Sequence, residues 1–234
     1  MNTNMKENFN FEKVLWKGKM YESEGLRNKK VLLVDTHELT GPCNKDNMKN
    51  NIESFLDNYI DEKPDDNKPS HLTTLSKFMK DFFNLESSKL FWDKICYANI
   101  NEHYYPGDKT IIINRIINDI FPDIVIILGI DIRNNLIDND KLSFKQLSNI
   151  EINDNRTEWN NEKIGYIYSK SKVPIILNTY SPSYNDYKDY DRLALFTSIC
   201  FDDIIYDKIK KNEPIKIKAE KIEDDKPFKL TLLT

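Results

Sequence analysis

The sequence predicts an α/β fold built around a mainly parallel sheet, and three stretches carry that expectation. The first is Lys29-Lys30-Val31-Leu32-Leu33-Val34-Asp35-Thr36-His37-Glu38. Its four consecutive apolar residues read as a fully buried strand, followed at once by an imidazole and two carboxylates and closed by Gly41-Pro42. The second is residues 108–129, where an Ile-rich amphipathic helix, a turn at Pro122 and Asp123-Ile124-Val125-Ile126-Ile127-Leu128-Gly129 make half of a βαβ unit. The third is a pair of late apolar runs, 163–168 and 173–178, the second leading into Thr179-Tyr180-Ser181-Pro182-Ser183-Tyr184.

Each element follows from its own pattern. Phe9, Phe11, Val14, Leu15, Trp16 and Tyr21 lie among polar neighbours, which suits a short helix and a turn at Trp16-Lys17-Gly18. Residues 46–60 space Met48, Ile52, Phe55, Leu56 and Tyr59 three and four apart, so a helix is expected there, with Asp46 as its cap. Residues 61–69 form a charged, proline-bounded loop. Two more helices are expected: 72–83, with Leu75, Phe78, Met79, Phe82 and Phe83 on one side, and 87–100, with Leu90, Phe91, Ile95 and Tyr97 and a cap at Ser87-Ser88. The loop Asn101-Glu102-His103-Tyr104-Tyr105-Pro106-Gly107 is dense in aromatic and titratable groups. Helix 108–121 turns Ile112, Ile113, Ile116, Ile117 and Ile120 inward, and another helix begins at 130–136. Residues 138–162 are polar and Asn-rich, a loop with one short helix anchored by Trp159. Residues 190–210 read as one long amphipathic helix, and 228–233 suits an edge strand. No internal repeat is visible.

With 234 residues and 39% hydrophobic content, the chain is expected to form one domain over 1–234. It has no run of eighteen apolar residues, and Met1 to Lys13 lacks the apolar stretch of a secretory signal. A cytoplasmic protein without a membrane partner is the expectation. Cys43, Cys96 and Cys200 are odd in number and make no CxxC pair, which argues against a disulfide framework or a zinc or iron–sulfur site. The formal net charge of −4 offers no global basic excess for neutralising phosphates. Local lysine groups at 29–30, 208–211 and 216–221 remain, and charge runs of this kind are usually solvated faces.

In open α/β sheets ligands sit beyond the carboxyl ends of the strands, which places Asp35, Thr36, His37 and Glu38 before a ligand. The same residue types also serve as turn formers and helix caps. An unrelated small-molecule hydrolase, with or without a metal, could use Asp35, His37 and Glu38, although their spacing is no established ligand pattern. No metal or other cofactor is expected.

The order of these pieces resembles the uracil-DNA glycosylase superfamily, in particular the branch whose first motif reads Gly-Glu-Ser-His-Tyr. The matching run here is Val34-Asp35-Thr36-His37-Glu38. Phe91-Trp92-Asp93-Lys94-Ile95-Cys96-Tyr97-Ala98-Asn99 is similar to a Phe-Trp-Asp helix followed by a base-reading Asn, and residues 121–129 are similar to a core strand of that fold. The order and spacing of the motifs carry the likeness, which spans roughly residues 14–210. It implies a three-layer α/β/α sandwich with about four central strands, and hydrolysis of the N-glycosidic bond of a base flipped out of single- or double-stranded DNA.

On that likeness Asp35, assisted by His37, is the catalytic candidate, orienting water or screening the sugar cation. Asn99 would offer its amide to a base edge, Trp92, Tyr97 or Tyr104 would stack on the base, and Ser181 and Ser183 would let a backbone approach phosphates. Thr36 and Glu38 complete the substrate-binding set. Phe91 and Trp92 at helical spacing also suit a core, and Asn99 near a helix end also suits a C-cap. The chain departs from the pattern at Val34 for Gly, Asp35 for Glu and Ser181 for the His of a late His-Pro-Ser loop. Losing such an electrostatic donor costs about 10²–10³ in rate. The alternative is therefore the same fold as a catalytically impaired module that binds nucleic acid, a nucleotide or a partner protein.

Overall fold

The structure, a computed structural model, describes residues 14–36, 52, 53, 56, 71–100, 109–128, 143–146, 150–152, 165–168, 175–179, 187–211, 213, 215–221 and 227–233. Among them the fold is mixed α/β. Strands β1 (Leu15–Lys17), β2 (Val31–Asp35), β3 (Ile95–Asn99), β4 (Ile124–Leu128), β5 (Ser143–Gln146), β7 (Gly165–Tyr168) and β8 (Ile175–Thr179) form one sheet, and β6 (Ile150–Ile152), β9 (Ile217–Glu220) and β10 (Lys229–Leu232) another. The helices are α1 (His71–Phe83), α2 (Ser88–Lys94), α3 (Lys109–Ile120), α4 (Tyr187–Phe201) and α5 (Asp203–Lys210).

The large sheet runs β1-β3-β2-β4-β8-β7-β5. Its centre, β3-β2-β4-β8, is parallel, as the βαβ pattern predicts, and antiparallel strands flank it on both sides. Every residue of β2, β3 and β4 is buried, so these strands carry continuous apolar runs rather than an alternation. Pairing runs in step: Val31 lies opposite both Ile95 and Ile124, and Asp35 opposite both Asn99 and Leu128.

Four expectations are corrected. Residues 87–100 are not one helix: α2 starts at its Ser87 cap, whose hydroxyl accepts the Leu90 N–H at 3.2 Å, but Ile95 turns extended and the chain enters β3. Leu90, Phe91, Ile95 and Tyr97 suit a helical face, but Ile95, Tyr97 and Asn99 suit strand alternation, and both edges of β3 are filled by β1 and β2. Leu15–Lys17 is a strand, not a helix and turn, because its backbone completes the ladder beside β3. Gly18 then turns beneath α2, where a Cβ would sit 2.3 Å from the Trp92 carbonyl oxygen. Residues 138–162 contain β5 and β6 where a loop with one short helix is expected. The helix expected over 190–210 is two helices. Asp202 breaks it by accepting the N–H groups of Ile204 (3.1 Å) and Ile205 (3.0 Å), a cap that outweighs continuity of the apolar stripe.

Other expectations hold. Helices α1 and α3 match their patterns within a residue or two, and Phe121, in the left-handed region at φ 45°, ends α3 before Pro122. Strand β10 lies at the edge of the smaller sheet. Of 46–60, Ile52, Glu53 and Leu56 are described; all three are helical, and Ile52 and Leu56 are buried. The helix at 130–136 and the loops at 61–69, 101–107 and 180–184 lie outside the described residues.

A polar cluster ties the amino ends of β2 and β4 to α5. Asp123 Oδ2 accepts the Lys30 backbone N–H at 2.9 Å, and the Tyr206 hydroxyl donates to Asp123 Oδ1 and its carbonyl at 3.4 Å. The Lys29 ammonium bonds Asp203 at 2.9 Å and lies 4.0 Å over the Tyr206 ring centre. No helix among the described residues is long and apolar enough to cross a membrane.

Candidate functional site at the carboxyl edge of the sheet

The chain leaves β2 to build β3 on one side of it, then returns to build β4 on the other. Such a reversal of strand order leaves a crevice beyond the carboxyl ends of the strands on either side of it. Asp35 is the last residue of β2, at the carboxyl edge where the strand order reverses, and it is buried.

Parallel, in-register pairing of β2 with β3 brings Asp35 opposite Asn99. Side chains alternate along each strand, so Leu33 and Asp35 share a face with Tyr97 and Asn99. The Tyr97 hydroxyl lies between the two polar ends. It donates to Asp35 Oδ2 at 3.2 Å and accepts from Asn99 Nδ2 at 3.2 Å. All three side chains are fully buried, and the hydrogen bonds offset the cost of burying them.

Tyr97 is itself held from below. The Trp92 ring meets it edge-on, 5.4 Å between centres and 76° between planes, and Trp92 Nε1 donates to Ser76 Oγ at 2.6 Å. The Ser76 hydroxyl donates in turn to the Leu72 carbonyl, back-bonding along α1. Trp16 lies directly across from Tyr97 on β1, and its indole N–H is buried without a hydrogen-bond partner among the described residues. Cys96, one residue before Tyr97, donates its thiol to the Trp16 carbonyl at 3.0 Å, and burial pushes that thiol up to about 12.

The structure therefore brings together Asp35 and Asn99, with Thr36 half-buried just beyond. Trp92 lies one layer of side chains lower, packed on Tyr97 and bonded to Ser76, with 0% of its surface exposed. His37, Glu38, Tyr104, Ser181 and Ser183 lie outside the described residues. Asn99 ends a strand, not a helix, so its C-cap reading falls away. The bridging role of Tyr97 is missing from the sequence reading, which gives it only a stacking role. The signal that finds it is alternation: on a strand, residues 97 and 99 share a face, whereas on a helix they point about 200° apart.

Among the described residues no group of three or more His, Cys, Asp or Glu side chains is arranged to hold a metal ion. A cleft of about 180 Å³ opens elsewhere, between Arg27, Phe82, Phe201, Asp202 and Phe228. It lies toward the amino edge of the sheet, away from Asp35. Comparisons with protein-family models, curated proteins and solved structures find no match for this chain.

Proposed function

We propose that this chain is a DNA glycosylase-like hydrolase of the N-glycosidic bond of a damaged or modified base, on a three-layer α/β/α fold like that of the uracil-DNA glycosylases. The observation that carries the reading is the register of Asp35 with Asn99 at the carboxyl ends of neighbouring parallel strands. A carboxylate and an amide are the two groups this chemistry asks for: one to steady the sugar cation or its attacking water, one to read the base. Four parallel central strands, with β2, β3 and β4 buried throughout, are the sheet the sequence likeness implies.

In this reading a base turned out of the duplex enters beyond the ends of β2, β3 and β4. Asn99 meets its edge and Asp35 faces the sugar. With Ser181 where the family pattern has His, the leaving base anion has one fewer donor, so slow turnover, lower by about 10²–10³, is expected.

The test is incubation with duplex and single-stranded oligonucleotides carrying uracil, hypoxanthine, xanthine or modified cytosines, followed by hot alkali. Strand scission that disappears in Asp35→Asn supports the reading; no scission with any base sinks it.

A second reading is a binding module on the same fold without catalysis. Its support is that Asp35, Tyr97 and Asn99 are completely buried and bonded to one another, and that the chain carries net charge −4. Retained, salt-sensitive oligonucleotide binding without scission would favour it.

A further inference from the structure

The sequence likeness gives Tyr97 only a stacking role, yet it joins the two groups on which the proposed chemistry rests. We infer that Tyr97 is a positioning residue that sets which way round the Asn99 amide lies.

A phenol has one proton. Asp35 Oδ2 accepts from the Tyr97 hydroxyl at 3.2 Å, which commits that proton to Asp35. The phenol oxygen can then only accept from Asn99, and the amide must turn its Nδ2 toward Tyr97, at 3.2 Å. Nδ2 and Oδ1 sit on opposite arms of a planar amide, so Oδ1 is carried on the arm away from Tyr97. Whatever meets Asn99 there must donate a hydrogen bond.

The phenol is not free to turn away. Its ring is wholly buried, edge-on to Trp92 at 5.4 Å, across the ladder from Trp16 and beside Leu33. Trp92 is anchored through Ser76 to the backbone of α1. The orientation of one amide at the strand end thus depends on a buried stack that reaches a neighbouring helix.

Resting on the function proposed above, the consequence is selectivity. A carbonyl on the arm away from Tyr97 suits bases with a ring N–H, such as uracil or hypoxanthine, and disfavours cytosine-type rings that present a bare nitrogen lone pair.

Tyr97→Phe keeps the ring and removes only the hydroxyl. In ¹⁵N-labelled protein, the Asn99 side-chain amide, identified by its loss in Asn99→Asp, should have one proton protected from solvent exchange. In Tyr97→Phe that protection should fall about tenfold, the ratio that one hydrogen bond of ordinary strength sets. Asp35→Asn leaves Tyr97 untouched but allows an amide at position 35 to donate to the phenol, so it should loosen Asn99 as well. It carries the test if Tyr97→Phe does not fold. Unchanged Asn99 exchange in the folded variants overturns the inference. In the scission assay, the preference for uracil over modified cytosine should narrow about tenfold in Tyr97→Phe while scission itself persists. If no base is excised but the exchange pattern behaves as stated, the positioning role stands and the glycosylase reading falls.

Discussion

The two ends of the large sheet each bury a tyrosine against an aspartate, and they use the pair differently. At the amino edge, Tyr206 meets Asp123, whose other oxygen holds the backbone N–H of Lys30. That carboxylate joins the start of β4 to the residue before β2 and to α5. At the carboxyl edge, Tyr97 meets Asp35, and the link continues through a side-chain amide to Asn99. The amino-edge pair fastens backbone to helix, while the carboxyl-edge pair orders polar side chains at the switch in strand order. The same chemistry therefore ties backbone to a helix at one end and links side chains of neighbouring strands at the other, and the difference lies in where the strands begin and end.

Several substitutions would break or sharpen this contrast. The largest effect is expected at Trp92, which supports the carboxyl-edge trio from below. Trp92→Ala should cost about 3–5 kcal/mol in urea unfolding, because a fully buried indole leaves a cavity and an unmet Ser76 hydroxyl. If the proposed excision activity holds, Asp35→Asn should instead lower it by about 10²–10³ while the melting temperature stays close to wild type. A large melting loss with intact excision would reverse the assignment of roles between the two edges.

Asp123→Ala tests the amino edge directly. It strips acceptors from the Lys30 N–H and the Tyr206 hydroxyl, so a loss of roughly 1–3 kcal/mol in unfolding is expected, with excision unchanged. Burial, with Asp123 beside it, holds the Tyr206 phenol above its ordinary range. It should therefore stay protonated in alkaline ultraviolet titrations of the folded protein and ionise normally in urea.

Asp203→Asn should matter least, under about 1 kcal/mol, because Asp203 is an exposed partner. The Lys29 ammonium bonded to it holds its carboxyl below the usual carboxylate range. A depressed value in the folded state adds stability above the ordinary aspartate range, lost as pH falls through the depressed value. The variant should accordingly flatten a small part of the acid limb of a stability–pH profile. Cys96, with its thiol near pH 12, should resist alkylation at pH 8 until urea opens the core.

How legible each part was depends on whether its signal is local. The strand at Val31–Asp35 and the run at Ile124–Leu128 stand out because continuous apolar residues bounded by polar ones leave few other structures. Helices α1 and α3 stand out for the same reason in the helical period. Ile95–Asn99 does not, since Leu90, Phe91, Ile95 and Tyr97 fit a helical face and only neighbours on both sides make the strand. The short strands β5 and β6 are likewise pairing products in a polar, Asn-rich stretch. Of the site, Asp35 and Asn99 were named from sequence, but the phenol that connects them was hidden by the helical reading of its own segment.

By itself the sequence determined a parallel α/β core and a carboxylate at the exit of its clearest early strand, because both follow from hydrophobic period and strand ends. Only the tertiary structure decided that Asp35 lies level with Asn99 and that Tyr97 joins them. That decision rests on register, and register is a property of two strands sixty residues apart, set by which ladder satisfies the most backbone while keeping the apolar faces buried.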